Sequence, residues 1–327
     1  MSELGCVAIG RNEGPRLIRC LESLTPRAAR VVYVDSGSTD GSVEAARARG
    51  VEVVELDTSF PFTAARARNA GFDRLLEIAP DLRYVQFVDG DCEVVLGWLE
   101  RAHAVLESRR ELAVVCGRRR ERHPEHSVWN RIVDVEWDTP VGEASACGGD
   151  AMMRVEAFRA VGGFDPALIA GEEPELCVRL RAAGWKIERL DAEMTLHDAA
   201  MSRASQWWKR TVRSGHAYAE GSAMHGATAE KHWVRETRRI WLWGAVVPAV
   251  ATLGAVPTLG ASLALLAGYP VSAWRAYRAT RRRGRAAGDS AAYAVAITVG
   301  KFAEMQGVLQ FHSTRMRGRK SQLIEYK

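Results

Sequence analysis

No charged residue occurs between Ile240 and Trp274, no C-x-x-C pair occurs among the six cysteines, and residues 5–20 hold no glycine-rich, lysine-bearing loop. Each absence removes a class of chemistry. The scattered thiols (Cys6, Cys20, Cys92, Cys116, Cys147, Cys177), with no secretion signal ahead of them, argue against zinc ligation and predict reduced cysteines in a cytosolic compartment. Without a lysine-bearing phosphate loop, a phosphate-containing ligand must be held in another way. The uncharged stretch IWLWGAVVPAVATLGAVPTLGASLALLAGYPVSAW would reach about 52 Å as one helix, longer than a bilayer core. Pro248, Pro257 and several glycines argue against an unbroken helix. Arginines stand on both sides, Arg235, Arg238 and Arg239 before the stretch and Arg275, Arg278, Arg281, Arg282 and Arg283 after it. They predict that both ends stay on the cytoplasmic side of a membrane, with a re-entrant hairpin or in-plane helix pair between them. The alternative is a buried helical hairpin. A weaker apolar stretch at 291–311, broken by Lys301 and Glu304, reads as amphipathic.

Charge is unevenly placed. The net +5 of this 327-residue chain combines 25 Lys/Arg and 34 Asp/Glu in residues 1–200 with 20 and 6 in residues 201–327. An acidic front of −9 is therefore joined to a basic tail of +14. Such a tail suits an anionic membrane surface. Nucleic acid fits poorly, because the charges adjoin an apolar run and no nucleic-acid module is present.

Short β-rich runs at 4–10, 30–36, 51–56, 83–89 and 112–117 alternate with helical patterns at 15–24, 42–50, 65–79 and 98–109. Strands and helices of these lengths in alternation predict an α/β fold with a mostly parallel sheet covered on both faces. Ligands of such sheets gather at the carboxyl ends of the strands. There the sequence places Arg11-Asn12-Glu13, Asp35 to Asp40, and Asp89-Gly90-Asp91. Two carboxylates one residue apart repel unless a cation or proton intervenes, so VDGDC suggests a hard divalent metal carrying phosphate. The plain alternative is a strand-to-loop turn. Residues 117–150 read as a polar loop long enough to be a lid or binding surface, and helices are expected at 155–163 and 171–186.

These segments in order, RNE, VDSGSTDGS, ARARNAG, DGD, GGDAMMR, VGGFDPAL and GEEPELCVRL, resemble the family 2 glycosyltransferases of the GT-A fold over residues 4–200. The resemblance implies a Rossmann-like nucleotide-diphospho-sugar transferase domain at 1–215, with a helical, apolar and basic, membrane-associating region at 216–327. It implies Mn²⁺ or Mg²⁺ held by Asp89, Asp91 and His197, the last in TLHDAA. Arg11, Asn12, Glu13 and Asp35 would hold the nucleotide, although Ser36 replaces a second family aspartate. Arg66 and Arg68 lie two apart on a helix and do not share a face, so at most one reaches the donor. Gly149 and Asp150 would lie by the donor sugar or acceptor.

The base that takes the acceptor proton would be Glu173, where the family carries aspartate, with Glu172 as competitor. Acidic residues that favour a helix N-terminus through its dipole are the ordinary alternative. Gln206-Trp207-Trp208-Lys209-Arg210 stands where processive members carry Q-x-x-R-W, which argues against a processive synthase. The expected reaction is inverting, metal-dependent transfer of one hexose-type unit from a nucleotide-diphospho-sugar to an acceptor hydroxyl. The acceptor is read as a lipid-linked or surface-polysaccharide saccharide at the cytoplasmic face of the membrane. The rival readings are a GT-A-like nucleotidyltransferase, disfavoured by the missing phosphate loop, and an inert membrane-bound sugar-binding scaffold.

Overall fold

The computed structural model describes residues 2–60, 62–318 and 324. It forms two compact units, one made of the chain up to Arg122 plus Trp137–Ala199, the other of His123–Glu136 plus the chain from Ala200 onward.

The strands of the first unit are β1 (Leu4–Gly10), β2 (Arg30–Asp35), β3 (Glu52–Glu55), β4 (Tyr84–Asp89), β5 (Cys92–Val94), β6 (Leu112–Glu121), β7 (Gly142–Glu143), β8 (Ala151–Arg154) and β9 (Lys186–His197). They make one sheet in the order β3-β2-β1-β4-β8-β6-β9-β5, with β7 on β9. Strands β1 to β4 pair in parallel, as does β6 with β9, while β8 lies antiparallel between β4 and β6. Each of the five runs expected as strands is one. The segment Leu4–Ala8 is apolar without alternation because both faces are covered, and it is fully buried.

Helices α1 (Pro15–Leu24), α2 (Ser42–Arg47), α3 (Ala64–Ile78), α4 (Trp98–Ser108), α6 (Val155–Ala160) and α7 (Glu172–Ala182) cover this sheet, and α5 (Val128–Glu136) belongs to the second unit. Thr63 starts α3 by accepting the Arg66 N–H on its hydroxyl. Gly71 lets that helix lie directly on the sheet, since a Cβ there would sit 2.4 Å from Val7 Cγ1 and 2.7 Å from Val34 Cγ2. The segment read as a long polar loop is largely structured: β6 continues through Arg118–Glu121 and α5 follows.

The second unit is helical, with α5, α8 (Ala204–His225), α9 (Val234–Trp241), α10 (Val247–Leu253), α11 (Gly268–Arg282) and α12 (Ala287–Met316). Residues 200–215 thus fall with the C-terminal helices and not with the sheet, because α8 packs along α12. Their backbones meet at glycines: a Cβ on Gly215 would lie 2.0 Å from the Glu304 carbonyl oxygen, and one on Gly307 2.0 Å from that of Val212. Replacing Gly215 by alanine should therefore lower the unfolding free energy of this unit by about 1–3 kcal/mol despite alanine's better helix propensity. Gly288→Ala in α12, where nothing lies within 4 Å, should be neutral or stabilise by up to about 1 kcal/mol. Denaturant titration of the two variants side by side checks the contrast.

The uncharged stretch folds back on itself. A π-helical turn (Leu242–Val246) leads into α10, and after residues 254–260 a 3₁₀ segment (Ala261–Ala267) leads back into α11. Trp243 and Tyr269 join the two arms, with ring centroids 5.4 Å apart and the Tyr269 hydroxyl donating to the Trp243 carbonyl. At the bend Leu253, Val256 and Leu259 are 80%, 86% and 97% exposed, an unusual fate for three large apolar side chains. Among the described residues no helix is long and apolar enough to cross a membrane.

Candidate active site

The rim at the carboxyl ends of β1, β2 and β4 is built from two interlocked loops. Asn12, held at a φ of 54°, donates its N–H to Ser38 Oγ and accepts the Thr39 N–H on its side-chain oxygen, at 2.9 and 2.8 Å. Asp35 shapes the second loop: its carboxylate accepts the Tyr33 hydroxyl and the N–H groups of Gly37 and Ser38. Asp35, expected to help hold the nucleotide, is 3% exposed within this turn. Arg11 lies over the Phe62 ring at 4.6 Å, and Glu13 pairs with Arg16 at 2.7 Å.

The aspartates on either side of Gly90 part company. Asp89 Oδ1 meets Arg68 Nη2 at 2.7 Å and Oδ2 meets Arg119 Nη2 at 3.2 Å. Asp91 Oδ2 faces His197 Nε2 at 3.3 Å. Donor atoms of Asp91, Cys92 and His197 converge within 4.8 Å, whereas Asp89 gathers with Cys92 and Asp150. Asp89, expected as a metal ligand alongside Asp91, is paired here with two guanidinium groups.

Asp91 and His197 approach because β5 and β9 pair antiparallel with Cys92 directly opposite His197. Behind the imidazole, Nδ1 is buried without a hydrogen-bond partner, 3.7 Å from the Glu121 carboxylate. A carboxylate and an imidazole nitrogen aimed at one point, with a second carboxylate behind the ring, form a donor set that fits a divalent cation. Burial, reinforced by Asp150, holds the Cys92 thiol well above its usual range, so it stays protonated beside this pair.

Arg68 is the one of the two helix arginines that reaches the site. It is 2% exposed and bridges Asp89 to Glu172 Oε1, the latter at 2.6 Å. Burial works to lower its pKa, but Asp89 and Glu172 raise it further, so the guanidinium is a permanent charge. Arg66 turns outward to the carbonyls of Asp57 and Phe60. Gly149 makes room for the Arg68–Asp89 pair: a Cβ there would meet Arg68 Nη2 at 2.5 Å and Asp89 Oδ2 at 3.1 Å. Asp150, expected to accept bonds from a sugar, is fully buried and takes the Asp89 N–H, the Thr195 hydroxyl and Arg119 Nη2. It positions the site from behind.

Helix α7 opens with Glu172 and Glu173, each under 10% exposed. Glu172 is committed to Arg68. Glu173 Oε1 accepts from the Cys147 N–H and from the thiols of Cys147 and Cys177, the thiols at 2.8 Å each, while its other oxygen takes none of these bonds. A carboxylate fixed through one oxygen with the second left over has the form of a positioned proton acceptor.

Arg119, Glu121, Trp137 and the two thiols are site residues that sequence reasoning missed. The signal for the first two was the i, i+2 spacing of a strand that sends Arg119 and Glu121 to one face. Trp137 lies against both partners, under the Arg119 guanidinium at 5.5 Å and edge-on to His197 at 4.7 Å.

Comparison with known proteins bears on this arrangement. The family model "Glycosyl transferase family 2" matches residues 7–162, and "N-terminal domain of galactosyltransferase" matches residues 132–203. The succinoglycan biosynthesis protein ExoA of Rhizobium meliloti (strain 1021) is 29% identical over 198 residues, 57% of this chain. The chain spans 59% of that relative's length. An N-acetylglucosaminyl-diphospho-decaprenol L-rhamnosyltransferase of Mycobacterium tuberculosis (strain ATCC 25618 / H37Rv) is 27% identical over 271 residues, 64% of this chain and 88% of its own. Among solved structures, the mannosyltransferase PcManGT from Pyrobaculum calidifontis, in complex with GDP-Man and Mn²⁺, superposes with a TM-score of 0.60. That likeness, at 18% identity, covers 91% of this chain and 86% of that one. S. aureus TarS 1–349 gives a TM-score of 0.52 at 14% identity, over 97% and 92%. The matched motifs, the mixed sheet and the cluster at its edge agree: residues 7–162 carry a family 2 glycosyltransferase domain, built on the GT-A fold.

Proposed function

We propose that the protein transfers one sugar, with inversion, from a nucleoside diphospho-sugar to a hydroxyl of a lipid-linked saccharide at the cytoplasmic face of a membrane. The observation that carries this reading is the meeting of Asp91 and His197 beside the Arg68–Glu172 bridge, all at the donor edge of the sheet. Asp91 and His197 would hold Mn²⁺ or Mg²⁺, which when bound supplies positive charge to a leaving diphosphate. Arg11, Asn12 and Glu13, on the loop that follows β1, would contribute to holding the nucleotide. Glu173 would accept the acceptor proton, its orientation set by the Cys147 N–H and the two thiols, while Glu172 keeps Arg68 and Asp89 in register. The acceptor class draws support from the relatives named for succinoglycan biosynthesis and for a decaprenol-linked saccharide. The exposed apolar bend at residues 253–259 between arginine-rich flanks supports residence at an anionic membrane surface.

The test pairs a panel of nucleotide sugars with two variants. Wild type should release nucleoside diphosphate in a divalent-metal-dependent way, and release of pyrophosphate instead would overturn the reading in favour of nucleotidyl transfer. Glu173→Gln should bind donor as wild type does yet lose about 10²–10⁴-fold in single-turnover transfer. Glu172→Gln should disturb donor binding as well, because its neighbour is Arg68.

A further inference from the structure

The second unit contains a cavity that the proposed chemistry leaves unused. Its walls come from α5, α8, α9, α11 and α12 and the turn around Trp243. The charges at its surface do not cancel. Arg210 is paired with Glu136 at 2.8 Å, and Lys301 with Glu304 at 2.5 Å. Arg239 and Arg275 also line it and are joined to no acidic group in the described structure. Two internal ion pairs therefore leave two cations over. Burial raises the pKa of Glu304 against the pull of Lys301.

The remaining lining is aromatic and small: Trp207, Trp243, Tyr269 and Tyr293 around Gly268 and Gly300. Trp243, Tyr269 and Arg275 belong to the hairpin whose bend exposes Leu253, Val256 and Leu259. The same two arms thus carry the exposed apolar bend at one end and the cavity's excess cations at the other. A ligand with a compact anion joined to an apolar chain matches both ends, whereas a free anion would use only the arginines and a neutral lipid only the rings.

We propose that this cavity is a binding site for the phosphate headgroup of an isoprenoid-type lipid, with Arg239 and Arg275 gripping the phosphate and the aromatic residues between the hairpin arms seating the first part of the chain. The inference deepens the acceptor reading above by giving that acceptor's lipid phosphate a place. Its test contains no nucleotide sugar, so failure here would leave sugar transfer standing, and failure of donor binding would leave this site standing.

The experiment is calorimetric titration of the full chain with a water-soluble short-chain isoprenyl phosphate, the matching alcohol and inorganic phosphate. The isoprenyl phosphate should bind at least about tenfold more tightly than either fragment, and Arg239→Ala with Arg275→Ala should weaken it by about tenfold per arginine. Arg238→Ala with Arg282→Ala removes equal charge from the same helices outside the cavity and should leave binding within about twofold of wild type. Three results would overturn the proposal: equal losses in both double variants, alcohol binding as tight as the phosphate, or inorganic phosphate binding as tight as the phosphate. A double variant that fails to fold is recognised by its circular dichroism. Arg239→Lys with Arg275→Lys then takes its place: it should keep part of the affinity, and affinity equal to that of the alcohol would count against the proposal.

Discussion

Asp91→Asn should abolish metal-dependent donor binding and reduce transfer by about 10³-fold while leaving the protein folded. Asparagine has nearly the shape of aspartate and can still present an oxygen to His197, so the packing of the β4–β5 turn is kept. What it lacks is the negative charge that, together with an imidazole, makes a donor set for a hard cation. The loss should therefore appear as an absent manganese-dependent thermal shift with nucleotide sugar, at an unchanged melting temperature without ligands. Asp89→Asn offers the contrast, because the carboxylate it removes is engaged by two arginines and not by His197. Its effect should fall on stability and nucleotide affinity more than on the metal requirement. If the two variants behave alike and neither changes the metal response, the assignment of Asp91 fails.

Arg68→Met should strongly destabilise the first unit. The guanidinium is buried and holds two carboxylates, and removing one partner of a buried ion pair leaves uncompensated charge at a cost of about 3–5 kcal/mol. In a unit of this size that corresponds to a drop of roughly 6–20 °C in melting temperature. Lysine should rescue little, since a single ammonium does not reach both carboxylates as the planar fork does. The double variant Arg68→Met, Glu172→Gln should recover part of the loss by removing one of the stranded charges. Calorimetry on the three chains decides the matter, and a melting temperature within about 2 °C of wild type for Arg68→Met would remove the bridge from the account of the site.

The parallel half of the sheet was legible because buried parallel strands read as uninterrupted apolar runs between helices, as in LGCVAIG and RYVQFVD. Strands β8 and β9 were not. AMMR is four residues long with every side chain buried, so no alternation marks it, and KIERLDAEMTLH mixes charges into a strand flanked by partners on both sides. Run-on charge also hid the end of β6, where RRRE reads as a solvated loop although Arg119 and Glu121 face inward. Site residues followed the same rule. His197, Arg68, Glu172 and Glu173 could be named because a motif or a helix start announced them, while the bonds that engage Asp35 and Asp150 could not, since a sequence does not reveal how many backbone and side-chain donors will claim a carboxylate. Cys147 and Cys177, thirty residues apart, had no local sign of sharing one glutamate oxygen.

The insertion of α5 carries a practical consequence. Ile132 packs in a cluster with Trp207 and Ala296, Asp134 holds Arg285 at 2.8 Å, and Arg131 meets Asp289 at 3.1 Å. An expression fragment ended near Ala199 would keep this helix but remove its partners Trp207, Arg285, Asp289 and Ala296, leaving its apolar side uncovered. Anyone wishing to isolate the sheet unit would therefore do better to splice a short polar linker in place of residues 123–136 than to shorten the tail.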